Sequence, residues 1–178
     1  IPVLWHEFVS VQYRLSRMVG FLTGGGDAAE SSWQISQSLT GIGAGQLVGV
    51  GFGEGLQKLG YLPYAYSDFI FSTIGEEWGF LGVLVVLGLF GLYVALGFRI
   101  ARNAPDSFGL LLATGLTTMI GLAAALHIGV TLAVVPTTGI SLPFVSFGRS
   151  SLLVSFLATG VIMSVARQGE GARGRRKR

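Results

Sequence analysis

The sequence predicts an all-α integral membrane protein: a multi-span helical fold with three transmembrane helices and a large extracytoplasmic loop. Three observations lead there. Hydrophobic residues make up 51% of the 178 and charged residues only 12%, about half the roughly 25% charged share of an ordinary soluble domain. The mean hydropathy is +0.65. The net charge of +3 hides a strong bias, because six of the twelve basic residues (Arg167, Arg173, Arg175, Arg176, Lys177 and Arg178) fall in the last stretch of chain. A basic tail of this kind is a membrane-topology signal, and nothing in the pattern points to nucleic acid. The chain has no cysteine, which removes disulfides, thiolate metal sites and a cysteine nucleophile. Its 28 glycines follow no three-residue period, so a collagen-like fold is excluded.

The elements follow from the gaps between charges. Residues 1–23 read as the end of a preceding membrane helix and its outer-face exit. The start Ile1-Pro2-Val3-Leu4-Trp5 suggests the C-terminal part of something longer. Residues 24–77 read as the large extracytoplasmic loop with short helices. Within it Ser31–Gly53 is uncharged, yet Gly41, Gly43, Gly45, Gly49, Gly51 and Gly53 crowd its second half. Glycine exposes backbone groups that hydrocarbon cannot satisfy, so short helical or re-entrant pieces on the membrane face are expected, not a span. Trp78–Phe98 is an uncharged run of 21 residues, close to the roughly 20 that cross a bilayer. A cytoplasmic loop, 99–107, carries Arg99 and Arg102. The next uncharged run, Ser107–Gly148, has 42 residues, too many for one helix. Pro136 and Pro143 divide it into a span at 108–134 and an extracytoplasmic loop at 135–147. A last span, 148–166, carries only Arg149, and a basic cytoplasmic tail, 167–178, ends the chain. An even number of crossings separates the two basic segments, so both sit on the cytoplasmic side.

The densest polar cluster then lies outside, from Glu54 to Glu77. Asp68 directly precedes Phe69-Ile70-Phe71. A carboxylate at the edge of an apolar run suits a general base, and it equally suits an N-cap for a short helix Phe69–Ile74. Glu76 and Glu77 precede the first span, where a helix N-terminus favours acidic residues. Lys58 is the loop's basic residue; with Arg14 and Arg17 it forms a candidate phosphate or pyrophosphate site, and a solvated lysine is the alternative. His127 falls inside the second span, where an ionisable residue is either functional or a neutral ring bonded across helices. Arg149, beside Ser150 and Ser151, either snorkels to the interface or joins the anion site. The spaced glycines resemble a phosphate cradle only weakly, because no strand precedes them; close backbone approaches or sharp turns explain them better.

Taken in order, the motifs are specific. They are Tyr13-Arg14-x-x-Arg17, Gln37-Ser38-Leu39, Gly49-Val50-Gly51-Phe52-Gly53, Gln57-Lys58-x-x-Tyr61-Leu62-Pro63, Ser67-Asp68-Phe69-Ile70-Phe71 and Ile74-Gly75-Glu76-Glu77-x-Gly79. Pro136-Thr137-Thr138-Gly139-x-x-Leu142-Pro143-Phe144-Val145-Ser146-Phe147-Gly148-x-Ser150-Ser151 closes the series. In these the chain resembles the C-terminal portion of the FtsW/RodA, or SEDS, family of peptidoglycan glycosyltransferases. The Thr137-Thr138-Gly139 form is more similar to the FtsW, cell-division branch.

The resemblance implies a ten-span helical enzyme of the bacterial inner membrane, of which this chain supplies the outer loop and the last three spans. It implies polymerisation of lipid II during septal wall synthesis, with release of undecaprenyl pyrophosphate. The family's outer-loop aspartate falls on Asp68, as the base for the acceptor hydroxyl. Arg14, Arg17, Lys58, Gln57, Glu77, Ser150 and Ser151 become candidates for binding the pyrophosphate and lipid II. No cofactor is required beyond an optional divalent cation, Mg or Mn, and no metal ligands are assigned. The implied partners are membrane lipids, a class B penicillin-binding transpeptidase and other divisome proteins. The chain departs from the family pattern at Tyr64, Tyr66-Ser67, His127 (an Asn is usual) and Arg149. Two other readings fit the composition, a lipid II flippase or transporter and a non-catalytic divisome scaffold. A transporter would gather its polar residues at the bilayer midplane, and here they gather outside the first span.

Overall fold

The computed structural model describes residues 28–55 and 68–176, and among them every regular element is helical. Helix α1 is Ala28–Ala44, α2 is Ile70–Arg102, α3 is Ser107–Thr131 and α4 is Arg149–Arg176. Three segments are long and apolar enough to cross a membrane: α2, α3 and the Arg149–Gly169 part of α4. Their surfaces run opposite to a water-soluble protein's. Leu84, Leu89, Leu92, Leu111, Leu153 and Leu157 are exposed, while Ser38, Ser72, Thr117, His127, Thr131 and Ser146 are almost fully buried. Exposed leucine is unfavourable in water and neutral in hydrocarbon, where it is the polar groups that must find partners inside the protein.

The helices pack through small residues, as expected where apolar side chains gain nothing by leaving lipid. A side chain added at Gly97 would collide with Thr117 of α3, and one at Gly121 would meet Val94 of α2. Ala101, Ala113 and Val165 close the contact among α2, α3 and α4 at one end of the bundle. The turn between α2 and α3 is short: Asn103 and Ala104 donate to the Ile100 and Ala101 carbonyls. Asp106 caps α3 by accepting from the Gly109 N–H at 3.3 Å. Arg99 and Arg102 occupy the last turn of α2, where cations complement the helix dipole. Within the bundle Phe144 lies between Tyr93 and Phe156, with centroids 5.5 and 5.6 Å away. Tyr93 and Thr159 share a hydroxyl hydrogen bond of 3.0 Å.

Several boundaries differ from the sequence reading. The stretch expected to hold only short helical pieces begins with α1, 17 residues of regular helix, and turns into a glycine-rich loop after Ala44. The first apolar helix starts at Ile70, ahead of the uncharged run at Trp78, and α2 is broken within by Gly79 (φ 63°, ψ −161°). Helix α3 ends at Thr131, short of the expected 134: the Val134 and Val135 N–H groups both turn back to the Gly129 carbonyl, with Ala133 left-handed at φ 59°. Helix α4 continues to Arg176 through the segment expected to be tail.

Candidate functional site

Asp68 is half-buried and stands immediately before α2. Its neighbour Phe69, 3% exposed, packs on Val130 near the end of α3, and Val135 packs against this cluster. Phe69 itself takes the N-cap position (φ −130°, ψ 24°), and no side chain caps this end of the helix. The alternative reading of Asp68 as a cap is therefore corrected. The Phe69 carbonyl already receives the Ser72 and Thr73 N–H groups, and burial of its ring sets where the helix begins. Asp68 itself is half-buried, next in sequence to this apolar cluster.

Three hydroxyl groups tie the Asp68 turn to its neighbours. Ser72, one turn beyond Asp68, donates to the Ser38 carbonyl of α1 at 2.8 Å. Ser38 in turn donates to the Thr131 carbonyl of α3 at 3.0 Å, and Thr131 donates back to Ile128 at 2.8 Å. All three side chains are fully buried. Ser38 stands in the Gln37-Ser38-Leu39 motif and Thr131 is a lone hydroxyl in an apolar stretch, while no local signal marks Ser72. Interhelical bonds of this kind average about 0.6 kcal/mol each in membrane proteins.

On the other side of the turn the chain interlocks. The break at Gly79 frees carbonyls before it and N–H groups after it, and the loop following α1 satisfies both. Val50 and Gly51 donate to the carbonyls of Glu76 and Glu77 at 3.0 and 3.2 Å, while Phe80 and Leu81 donate to Gln46 and Leu47 at 2.9 and 3.2 Å. The backbones approach so closely that a side chain at Gly49 would strike the Glu77 carbonyl and one at Gly79 the Leu47–Gly49 backbone. Gly49 and Gly79 are also left-handed, at φ 89° and 63°. Gly45 and Gly49 are thus close approaches and Gly49, Gly51 and Gly53 turn with positive φ, whereas Gly41 and Gly43 lie within helix α1. Glu76 and Glu77 end the first segment of α2 and are buried, 2% and 7% exposed, under Gly55, where an added Cβ would come within 3.0–3.2 Å of their carboxylate oxygens. The expected placement at a helix start holds only for the second segment of α2, and the burial is a tertiary result.

The other candidates lie apart or outside the described residues. Ser150 and Ser151 open α4 and line a groove of about 280 Å3 with Met119, Ile120, Pro143 and Ser155. Arg149 beside them is exposed. Arg14, Arg17, Gln57 and Lys58 fall outside the described residues. Among the described residues no three His, Asp or Glu side chains are grouped to hold a metal ion. His127 is 1% exposed, and its Nδ1 lies 2.8 Å from the Ile140 carbonyl. It is bonded across to the α3–α4 connection, not to another helix.

Comparison with known proteins places this arrangement. The family model described as "Cell cycle protein" FtsW/RodA/SpoVE matches residues 1–171. The chain belongs to the FtsW/RodA/SpoVE family. It is 43% identical to a "Probable peptidoglycan glycosyltransferase FtsW" of Trichlorobacter lovleyi over 166 residues, covering 93% of this chain and 44% of that protein. A solved structure described as "Structural coordination of polymerization and crosslinking by a peptidoglycan synthase complex" superposes with a TM-score of 0.72 at 30% identity, over 88% of this chain and 42% of the other. An aspartate-to-alanine mutant of the rod shape determining protein RodA from Thermus thermophilus gives 0.58 at 36% identity, over 74% and 40%. The chain spans about half the length of the FtsW/RodA/SpoVE relatives it matches, and they share its helical bundle.

Proposed function

We propose that the full-length protein is a peptidoglycan glycosyltransferase that polymerises lipid II in septal wall synthesis, with Asp68 as its general base. The observation that carries this is the position of Asp68. A carboxylate stands half-buried at the mouth of an apolar cluster, on a turn fixed from both sides, in a chain of the FtsW/RodA/SpoVE family. The relatives' name, peptidoglycan glycosyltransferase, supports the reaction class. In the proposed step the Asp68 carboxylate takes the proton of the acceptor sugar's 4-hydroxyl. That oxygen bonds to the anomeric carbon of the lipid-linked strand as the bond to phosphate breaks, and undecaprenyl pyrophosphate leaves with the electron pair. A pyrophosphate is a good leaving group, so cationic stabilisation matters more than a general acid. Arg14, Arg17 and Lys58 are assigned that part, with or without a divalent cation, and Gln57, Glu77, Ser150 and Ser151 are assigned contacts to the substrate.

In this reading the loop 24–77 faces the periplasmic side of the inner membrane, and the basic C-terminus lies in the cytoplasm, consistent with the arginines at 99 and 102 and the tail. A class B penicillin-binding transpeptidase is the proposed partner, supported by the likeness to a peptidoglycan synthase complex.

The test is lipid II polymerisation by the full-length protein with its transpeptidase, wild type beside Asp68→Asn. Wild type should make glycan strands. The variant, folded and partner-bound, should fall by at least the roughly 10²–10⁴-fold that positioned base catalysis contributes. Equal polymer from both would remove Asp68 from the chemistry.

A further inference from the structure

The face of α3 that meets the Asp68 turn carries one more buried polar side chain. Ala124, His127, Val130 and Thr131 lie on one side of the helix, three and four residues apart, and each is nearly inaccessible. Val130 packs on Phe69, and the Thr131 carbonyl takes the Ser38 hydroxyl. His127 sits one turn below them. A carbonyl only accepts, so the 2.8 Å contact to Ile140 places a hydrogen on Nδ1. Nε2 is enclosed and has no hydrogen-bond partner among the described residues. An unpaired enclosed polar atom is unfavourable, so the Nε2 side of the ring adds nothing to the packing and the Nδ1–H bond is its polar contact.

Ile140 belongs to the connection between α3 and α4. That connection meets the Asp68 turn at its start, where Val135 packs against the cluster formed by Phe69 and Val130. It is anchored at its end, where the Leu142 N–H donates to the Ser146 hydroxyl at 2.8 Å and Phe144 sits between Tyr93 and Phe156. Between these anchors lie Pro136, Thr137, Thr138 and Gly139, and Gly139 has φ 67°. The His127–Ile140 bond is what ties this middle stretch to α3.

We propose that His127 is a positioning residue for Asp68. Its Nδ1–H bond to Ile140 holds the α3–α4 connection, and through Val135 the Phe69 ring, in the place that fixes the Asp68 carboxylate. This rests on the reading of Asp68 as the base. Displacements of about 1 Å in a reacting group reduce rates by about 100-fold, so an effect on turnover follows without any contact between His127 and substrate.

The experiment measures initial rates of lipid II polymerisation by the full-length protein with its transpeptidase, over a range of lipid II concentrations. His127→Leu keeps an apolar volume and loses the donor. His127→Asn keeps an N–H that can reach the same carbonyl. The expected result is a kcat about tenfold lower or more for His127→Leu with little change in KM, and recovery of most of that loss in His127→Asn. Faster amide hydrogen exchange across 135–141 in the leucine variant alone is expected too, and it is read even if that variant is inactive. Wild-type kcat in His127→Leu, or equal losses in the two variants, overturns the proposal, because the donor would then be irrelevant. Asp68→Asn is run beside them. Activity in that variant overturns the base assignment itself, whereas an inactive Asp68→Asn with an unimpaired His127→Leu overturns only the role of His127.

Discussion

Helix α2 is two helices in two solvents, and Gly79 is the border. Before it, Phe71, Ser72, Thr73, Gly75, Glu76 and Glu77 are all buried, and the segment is held by hydrogen bonds to α1 and its loop. After it, Leu81, Leu84, Val85, Leu89 and Leu92 face outward and are about half exposed, and the buried residues are the small Gly82, Gly97 and Ala101. The first segment is packed like the core of a soluble protein, polar groups included. The second is packed like a membrane span, with its large side chains left to lipid. The broken backbone joins them without an orphaned carbonyl or N–H at residues 76, 77, 80 and 81, because the 46–51 loop supplies every missing partner. Irregular backbone at such a depth is tolerated only where protein satisfies it. The same device stabilises the segment that presents Asp68.

The contrast can be broken from either side. Truncating Phe71, whose ring is fully buried, should destabilise the protein by about 3–5 kcal/mol. Leu89→Ala, 61% exposed in the second segment, should stay within about 0.5 kcal/mol. Thermal unfolding of the two variants in detergent checks this, and comparable losses would mean that both halves pack alike. Gly79→Ala should follow Phe71→Ala closely. It adds a Cβ at φ 63° against the Leu47–Gly49 backbone, and strain of about 1–3 kcal/mol comes on top of the steric clash. Its signature should be accelerated amide exchange at Val50, Gly51, Phe80 and Leu81 together, since all four bonds cross the same break. Ser72→Ala is the smallest of the set. It removes one bond to Ser38 and should shift stability by about 1 kcal/mol. The carbonyl that accepts from Ser72 belongs to the Ser38 backbone and survives Ser38→Ala, so in a double-mutant cycle the two losses should add, each variant removing its own bond. A coupling above about 0.5 kcal/mol would show that the two hydroxyls act as a unit.

The candidate site divides along the same line. Asp68 was legible because a carboxylate against Phe69-Ile70-Phe71 is a local pattern, and Ser150 and Ser151 because they begin an apolar helix after a proline-marked loop. The rejection of Asp68 as a cap was not legible: local sequence suits both roles, and only the burial of Phe69 against Val130 moved the N-cap one residue on. Glu76 and Glu77 read as surface acids at the head of a span, yet the loop folded back over them. Ser38 belongs to the Gln37-Ser38-Leu39 motif, but nothing local showed that its hydroxyl meets Thr131 or that its carbonyl receives Ser72.

What the sequence determined by itself is the set of membrane helices and the stretches in which the chain must turn between them. Hydrocarbon excludes charge, so an uncharged run long enough to span becomes a helix, and Pro136 and Pro143 break the run that is too long for one. The glycines after α1 also announced a region of close approach, since a missing Cβ is a local fact. Which backbone comes close, and to what, was decided by the tertiary structure alone. Gly49 meets Glu77, Ser38 meets Thr131 across 93 residues, and His127 meets Ile140 around the end of α3. Each of these contacts satisfies a polar group with a partner that lies far along the chain or beyond a turn. No periodicity encodes such a pairing, because the need for it arises only when the helices have packed and water is gone.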